Sequence, residues 1–417
     1  MTTVAGEIWF KDAALGRVLA LLNADGGEGR VVGGAVRNSL MGLDVSDIDL
    51  ATTLLPEDVV ARAKAAGIKA VPTGIAHGTV TLVIDGKPFE VTTLRRDVET
   101  DGRHAEVAFS TDWQADAERR DLTINALYAD KDGEVIDLVG GLADIETRTI
   151  RFIGEAATRI AEDHLRILRF FRFFAYYGTG RPDAAGLRAC AAARATLSSL
   201  SAERIWSETK KLLAAPDPGR ALLWMRQISV LNDILPETEK WGIDAIPALV
   251  ATEQALGWSP DPLLRLASII PPDGERLAKL SARLRLSKAE AGRLAAWAAA
   301  PAVDDEISEA GLQRLLYRHG PEGIGTRLKL ALAIARGKAE GDFAEMARTA
   351  RIGKLLDRSK TWKKPAFPIS GVDAMNAGVA AGPRLGEVLG ALEQQWVDAN
   401  FNLDRATLLA RLRDMAS

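Results

Sequence analysis

The sequence predicts an α+β head, built on a mixed sheet with helices, followed by an all-α neck, body and tail. Three observations lead there. Alternating, strand-like stretches are confined to residues 1–138. Beyond residue 150, Ala-, Leu- and Arg-rich stretches with helical spacing take over, cut only by Pro and Gly. The charge also changes sign: residues 1–138 carry 14 Lys and Arg against 23 Asp and Glu, a net of −9, which leaves +6 for the remainder. The expected divisions are a head over 1–138, a neck over 139–215, a body over 216–350 and a tail over 351–417.

Each element has a local reason. Residues 15–22 (LGRVLALL) have the spacing of a short helix. RVVGG (30–34) is a strand running into a glycine turn, and 35–41 continue as helix. DIDLAT (47–52) alternates like a strand. Pro56 opens a helix that Gly67 closes. TVTLVI (79–84), the turn Asp85-Gly86 and FEVTTL (89–94) predict a hairpin. Residues 97–118 are polar and read as a loop. Asp121 to Leu127 is expected as helix, and 134–138 as a short strand before Gly140-Gly141. The rear is expected to be helical, with breaks at Gly178–Pro182, Pro216–Gly219, Pro236, Pro260–Pro262, Pro271–Gly274 and Gly320–Gly323. A Lys-rich linker is expected over 355–370, before helices near 383–396 and 404–415.

Composition narrows the chemistry. Of the 417 residues, 47% are hydrophobic and 26% charged, as in an ordinary globular chain. No apolar run approaches the roughly 20 residues of a membrane span. Met1 to Phe10 contains Glu7 and lacks the pattern of a secretory leader. One cysteine, Cys190, allows no internal disulfide. A cytoplasmic location is therefore expected. The four histidines, His77, His104, His164 and His319, fall into no metal motif. Zinc hydrolases and His-Asp phosphohydrolases are excluded.

Three constellations carry chemistry. In VVGGAVRNSLMGLDVSDIDL (31–50), a strand ends in Gly33-Gly34 and opens a helix, which suits an anion, and Arg37 adds charge. Asp47 and Asp49 stand two apart, so on a strand both face one side. Two convergent carboxylates suit Mg²⁺, which also takes phosphate oxygens. Phosphate next to paired carboxylates points to two-metal nucleotidyl transfer; a DxD pair alone also occurs in solvated loops. In QADAERRDLTINA (114–126), Asp121 and Asn125 are four apart and share a helix face behind Arg119-Arg120. A capped surface helix would read the same way. In EDHLRILRFFRF (162–173), Asp163, Arg166, Arg169 and Arg172 form a stripe that could read the edge of a base, or a salt-bridged helix surface.

Taken together and in this order, these segments resemble the class II tRNA nucleotidyltransferase and bacterial poly(A) polymerase family, of the polymerase-β-like superfamily. The likeness rests on GGAVRN with DID, HGTVTL, FEVTTLRRD, DGRHAEVAF, RRDLTINAL, DLVGG and EDHLRILRFFRF. AERIWSETKKLL (202–213) resembles the family's helical neck, and 368–396 its tail. Residues 220–365 offer nothing specific. The resemblance implies that Asp47 and Asp49 bind catalytic Mg²⁺, and that Gly33, Gly34 and Arg37 hold the triphosphate. Arg120, Asp121 and Asn125 would contact the incoming nucleotide. Asp163 and Arg166 would pair with cytosine or adenine, with Arg169 and Arg172 supporting the pocket or touching phosphate. Glu90 would be a third carboxylate near the metals, or an ordinary strand-face glutamate. Asn38 stands where many relatives carry Asp.

The implied reaction is attack of an RNA 3′-hydroxyl on the α-phosphorus of CTP or ATP, releasing pyrophosphate, without a nucleic-acid template. Such chemistry needs no nucleophilic Ser, Cys or His. The expected partners are the 3′ end and acceptor arm of tRNA, CTP and ATP, with no membrane and no obligate protein partner. The basic rear would hold RNA through residues such as Lys210, Lys211, Arg283, Arg285, Arg351, Lys354, Arg358, Lys360, Lys363 and Lys364. The polar stretch between Asp97 and Asp112 is expected to move when selection switches from C to A. The alternatives are a poly(A) polymerase on the same scaffold and, more distantly, a non-catalytic RNA-binding protein.

Overall fold

The computed structural model describes residues 2–100, 105–239 and 242–416. The chain forms two compact units, Met1–Pro236 and Glu237–Ser417. The expected head and neck thus lie in one unit.

The first unit begins with α1 (Ala13–Leu22), capped by Asp12, whose side chain accepts from the Ala14 amide. Leu15, Val18, Leu19 and Leu22 are its buried stripe. There follow β1 (Gly29–Val32), α2 (Gly34–Leu40), β2 (Asp49–Thr52), α3 (Pro56–Ala65), β3 (Lys69–Gly74), β4 (Thr79–Ile84) and β5 (Lys87–Thr93). Asp85 and Gly86 take positive φ, 52° and 78°, and close the β4–β5 hairpin. Next come β6 (Arg95–Thr100), β7 (Ala105–Phe109), α4 (Trp113–Glu118), β8 (Leu127–Ala129) and β9 (Val135–Asp137). Seven strands form one sheet in the order β3-β4-β5-β2-β1-β8-β9, with β2 and β5 parallel and every other pair antiparallel.

Two expectations are corrected here, and one strand is added. The polar stretch 97–118 is not a loop: β6 and β7 pair from Arg95↔Phe109 outward, and α4 follows, capped by Asp112. Asp101, Gly102, Arg103 and His104 lie outside the described residues. Residues 121–127 are not an α-helix but a 3₁₀ turn at Thr123–Asn125 leading into β8. The apolar run there is too short to set its own period, and pairing of Tyr128 with Val32 in the sheet decides it. β3, unforeseen, tolerates Pro72 because it is an edge strand.

The unit continues with α5 (Gly141–Glu146), α6 (Ala156–Glu162), α7 (Arg166–Tyr177), α8 (Ala184–Ala193) and α9 (Ala202–Leu213), then Gly219–Gln227 and Val230–Ile234. The stripe expected along one helix over 162–173 is interrupted: Asp163 is extended (φ −150°, ψ 107°) and ends α6, so α7 begins at Arg166. α7 buries Ile167, Leu168, Phe170, Phe171, Phe173 and Phe174 and packs on α9.

The second unit is helical, with a core that includes Leu312, Leu316, Ile324, Leu328, Ile352 and Leu356. Its long helix Glu309–Lys338 kinks at Gly320 (φ 75°, ψ 157°) before Pro321, where a break was expected. Helix Phe343–Thr361 runs through the boundary set at 350/351 and through the first part of the expected linker. Lys and Arg are good helix formers, so the chain leaves the helix only on the approach to Pro365. Several of the basic residues singled out for RNA have acidic neighbours: Arg283 pairs with Glu237, Arg351 with Asp305, Arg358 with Glu309 and Lys360 with Asp357. Among the described residues, no helix is long and apolar enough to cross a membrane.

Candidate active site

A cavity of about 710 Å³ opens in the first unit between the sheet and the α4–α9 region. Eleven of the thirteen residues singled out from the sequence line it: Gly33, Gly34, Arg37, Asp49, Glu90, Arg120, Asp121, Asn125, Asp163, Arg166 and Arg169. Asp47 and Arg172 do not.

The sheet supplies the acidic wall. Asp49 opens β2 directly opposite Glu90 of β5, in parallel register. Their side chains therefore leave the same face, on strands roughly 4.8 Å apart. Asp47 precedes the strand, with Ser46 donating to its carboxylate at 2.8 Å. Surrounding protein pushes the Asp49 carboxyl above its ordinary value; Glu90 and then Asp47 push the same way, and Arg120 opposes them. Such crowding suits a divalent cation. Among the described residues, no three acidic, His or Cys side chains close around a metal by themselves. Mg²⁺ asks for only one or two carboxylates and completes its shell with water and phosphate oxygens, so the set fits an ion shared with a triphosphate.

The opposite wall starts at Gly33, which turns β1 into α2 with φ 73° and ψ −113°. Only glycine takes this conformation at low cost. Arg37, one turn into α2, is buried and fully engaged. It donates to the Asn125 side-chain oxygen at 2.5 Å, to the Tyr177 hydroxyl at 2.8 Å and to the Asn38 side-chain oxygen at 2.9 and 3.1 Å. Asn125 in turn donates to Asp121 at 3.2 Å, and Asp121 accepts from Arg169 of α7 at 2.6 Å. Burial alone would raise the Asp121 carboxyl, but Arg169 and Asn125 hold it below its ordinary value. Arg37, Asn125, Asp121 and Arg169 thus form one connected chain. Asp121 and Asn125 meet as expected from their spacing, although through a tight turn rather than along a helix.

Arg120 is held from behind. Asp116, 1% exposed, accepts from Arg120 at 3.0 and 3.2 Å, from Arg119 at 2.6 and 2.9 Å, from the Tyr128 hydroxyl at 2.9 Å and from the Arg95 amide at 3.3 Å. Burial pushes its carboxyl up, but Arg120 and Arg119 outweigh burial and hold it below its ordinary value.

The far wall carries Asp163 and Arg166. Arg204 of α9 donates to both Asp163 oxygens, at 3.0 and 2.8 Å. Arg166 donates to Glu162 and to the carbonyls of Arg159 (2.9 Å) and Arg119 (3.0 Å). Arg172 turns away to the buried Glu208 at 2.6 Å, tying α7 to α9.

A carboxylate pair, a glycine turn with an arginine, and an Asp–Arg pair thus share one cavity. Comparison with known proteins places this arrangement. The family model described as "Poly A polymerase head domain" matches residues 29–151, and "Probable RNA and SrmB- binding site of polymerase A" matches 183–241. The mouse protein "CCA tRNA nucleotidyltransferase 1, mitochondrial" is 34% identical over 391 residues, covering 92% of this chain and 86% of its own. This chain belongs to the CCA tRNA nucleotidyltransferase family. The CCA-adding enzyme of Geobacillus thermodenitrificans is 40% identical over 211 residues, half of each chain. The crystal structure of the Bacillus stearothermophilus CCA-adding enzyme in complex with CTP matches with a TM-score of 0.72 at 28% identity, over 96% of both chains. The CCA tRNA nucleotidyltransferase family generally uses divalent metal ions.

Sequence reasoning missed Asp116, Arg204 and the use made of Asn38. Asp116 looks like any polar residue of a polar stretch. Arg204 lies 41 residues beyond Asp163. An amide cannot pair with a cation as a carboxylate does, yet the Asn38 side-chain oxygen accepts twice from Arg37, and its NH₂ group donates to the Asp44 carbonyl at 2.8 Å.

Proposed function

We propose that this protein adds C, C and A to the 3′ end of tRNA from CTP and ATP, without a nucleic-acid template. The observation that carries the reading is the shared cavity, in which Asp49 and Glu90, Arg37 and Arg120, and Asp163 with Arg166 face one volume. Its size falls within the roughly 300–1,000 Å³ of small-molecule sites.

In this reading the RNA 3′-hydroxyl loses its proton and its oxygen bonds to the α-phosphorus, while the bond to the β-phosphate oxygen breaks and pyrophosphate leaves. Asp47 and Asp49, with Glu90 beside them, would hold Mg²⁺, which lowers the pKa of the attacking hydroxyl and neutralises charge on the leaving phosphates. Gly33 and Gly34 present no side chain, so phosphates approach the backbone closely. Arg37 and Arg120 supply fixed positive charge, Arg120 from a platform set by Asp116. Asp163 is an acceptor, and cytosine and adenine each offer an exocyclic amine donor where uracil and guanine present a carbonyl. Arg204 would hold that carboxylate in orientation through its two hydrogen bonds. The second unit and the end of the first would hold the tRNA backbone. A lone, buried, unpaired cysteine fits a reducing compartment, which we take to be the cytoplasm.

The test is a gel assay with Mg²⁺ and a tRNA ending at its discriminator base, offering CTP and ATP singly and together. Two C, one A and then a stop are expected. A long A ladder with ATP alone would make the enzyme a poly(A) polymerase and overturn the reading.

A further inference from the structure

Arg37 lines the active-site cavity, and Tyr177 is not among the residues that do. The two meet nonetheless across 140 positions of sequence. Tyr177 is the last residue of α7, the helix that begins at Arg166. Its hydroxyl accepts from Arg37 Nη2 at 2.8 Å, and the guanidinium carbon stands over its ring, 4.1 Å from the centroid. Phe173, one turn earlier, stacks on the Tyr177 ring at 5.7 Å and lies under the same guanidinium at 5.3 Å. α7 therefore grips Arg37 by one hydrogen bond and two aromatic rings.

The grip matters because of what Arg37 has left to give. A guanidinium carries five N–H hydrogens. Nε gives one to Asn38, Nη2 one to Asn38 and one to Tyr177, and Nη1 one to Asn125. Among the described residues, one Nη1 hydrogen is left without an acceptor. All four bonds end on uncharged oxygens. Burial pushes the guanidinium below its ordinary value and Arg172 pushes the same way, while Tyr177 leads the groups that oppose them. Arg37 thus keeps a charge that its hydrogen-bond partners do not neutralise, and one donor to spare. Asn38 sits beside it on α2, and Asn125 in the turn before β8; Tyr177 is its acceptor from α7. Without the Tyr177 oxygen, Nη2 is free to swing, and the plane of the group turns with it.

We propose that Tyr177 is a positioning residue for the triphosphate: it fixes the plane of Arg37 so that the remaining Nη1 hydrogen meets a phosphate oxygen of the incoming nucleotide. The inference rests on the reading above in which Arg37 holds phosphate. The helix whose first residue, Arg166, lines the cavity then also sets the phosphate arginine from its last, and base and phosphates are held in one frame.

The experiment reads phosphate binding apart from catalysis. Full-length parent, Tyr177→Phe and Tyr177→Leu are titrated by calorimetry with tripolyphosphate and Mg²⁺, a probe without base or ribose, at a temperature where near-ultraviolet circular dichroism shows each to be folded. Tyr177→Phe removes one oxygen from a half-buried ring and should bind about tenfold more weakly, as for loss of one hydrogen bond to a charged group. Tyr177→Leu should lose roughly a further threefold with the ring. KM for CTP and for ATP should rise by the same factors, while KM for tRNA and the preference for CTP over UTP keep their parent values; a merely structural role would move all of them together. In an Arg37→Met background, Tyr177→Phe should change nothing further. Tyr176→Phe, at the neighbouring tyrosine whose hydroxyl donates to the Lys211 carbonyl, should bind like the parent. A parent that binds no tripolyphosphate, unchanged or tighter binding by Tyr177→Phe, or an equal loss in the Arg37→Met background would overturn the proposal. The titration uses no tRNA, so it holds whether the enzyme stops at CCA or builds an A ladder. Failed tRNA extension by the parent would sink the earlier reading alone and leave the phosphate result standing.

Discussion

Asp116→Asn tests the platform behind Arg120. The carboxylate is 1% exposed and takes four hydrogen bonds from two guanidinium groups, whose side chains are 17% and 21% exposed. An amide of the same shape removes the charge and turns an NH₂ group toward donors. Removing one partner of a buried ion pair costs about 3–5 kcal/mol. The arginines keep some contact with water, so the lower end applies, about 3 kcal/mol. For a unit of 236 residues, at roughly 2–4 °C per kcal/mol, the melting temperature should fall by about 6–12 °C. Calorimetry of the first transition reads this. CTP incorporation at a temperature where the variant is folded should also drop, because Arg120 loses its orientation. Adding Arg119→Met should return part of the stability by removing one uncompensated charge. The parent carboxyl lies below its ordinary value, so its contribution is present above about pH 4 and lost only as pH falls through the lowered value. A variant melting within about 2 °C of the parent at pH 7 would refute the reasoning.

Four other outcomes follow from the same geometry. Asp49→Asn should lower nucleotide addition by about 10³-fold or more without lowering the melting temperature. The parent carboxyl sits above its ordinary value, so the fold loses stability as pH rises through that raised value, and the variant should lack this slope; a variant less stable than the parent at pH 7 would contradict it. Arg204→Ala should change stability by less than about 1 kcal/mol, since the pair is 41% and 31% exposed, yet weaken discrimination of CTP from UTP; unchanged discrimination in single-nucleotide incorporation would remove Arg204 from the selection apparatus. Cys190 is buried and its thiol is pushed far up by burial, so iodoacetamide at pH 8 should label it only as fast as the first unit opens, and rapid labelling of folded protein by mass spectrometry would count against this packing. Replacing residues 97–109 by a short Gly-Ser turn should halt extension at CC, and full CCA products from that variant would show the hairpin to be dispensable.

Much of the site was legible because its chemistry repeats at short range. Gly33-Gly34 and the Asp121–Asn125 spacing each point to one place within a few residues, whereas the shared strand face expected for Asp47 and Asp49 is not formed, because β2 begins only at Asp49 and Asp47 stays outside the cavity lining. Glu90 entered through the family resemblance alone; alternation gave only its strand, and its register with Asp49 came from the sheet. What stayed hidden depends on distant contacts. Arg37 meets Tyr177 across 140 positions, and Asp163 meets Arg204 across 41. In the polar stretch, Asp112 caps a helix while Asp116 is buried under two arginines, and composition cannot separate them. The fold followed the same rule. Long helices with clean periods were found, whereas β3, β8 and the β6–β7 hairpin were missed, because short strands take their identity from neighbours.

The chain from Arg37 through Asn125 and Asp121 to Arg169 has a direction. The Asn125 oxygen faces a guanidinium and its nitrogen faces a carboxylate, so the amide cannot be turned over without setting donor against donor and acceptor against acceptor. The four residues come from three separate stretches of sequence, yet none can change its hydrogen-bonding character alone. For heredity this makes the sheet and α7 a single inherited piece. A chimaera joining the first 150 residues of one such enzyme to the helices of another would meet at Asp121 and Arg169, and would work only where both parents had written this chain in the same polarity.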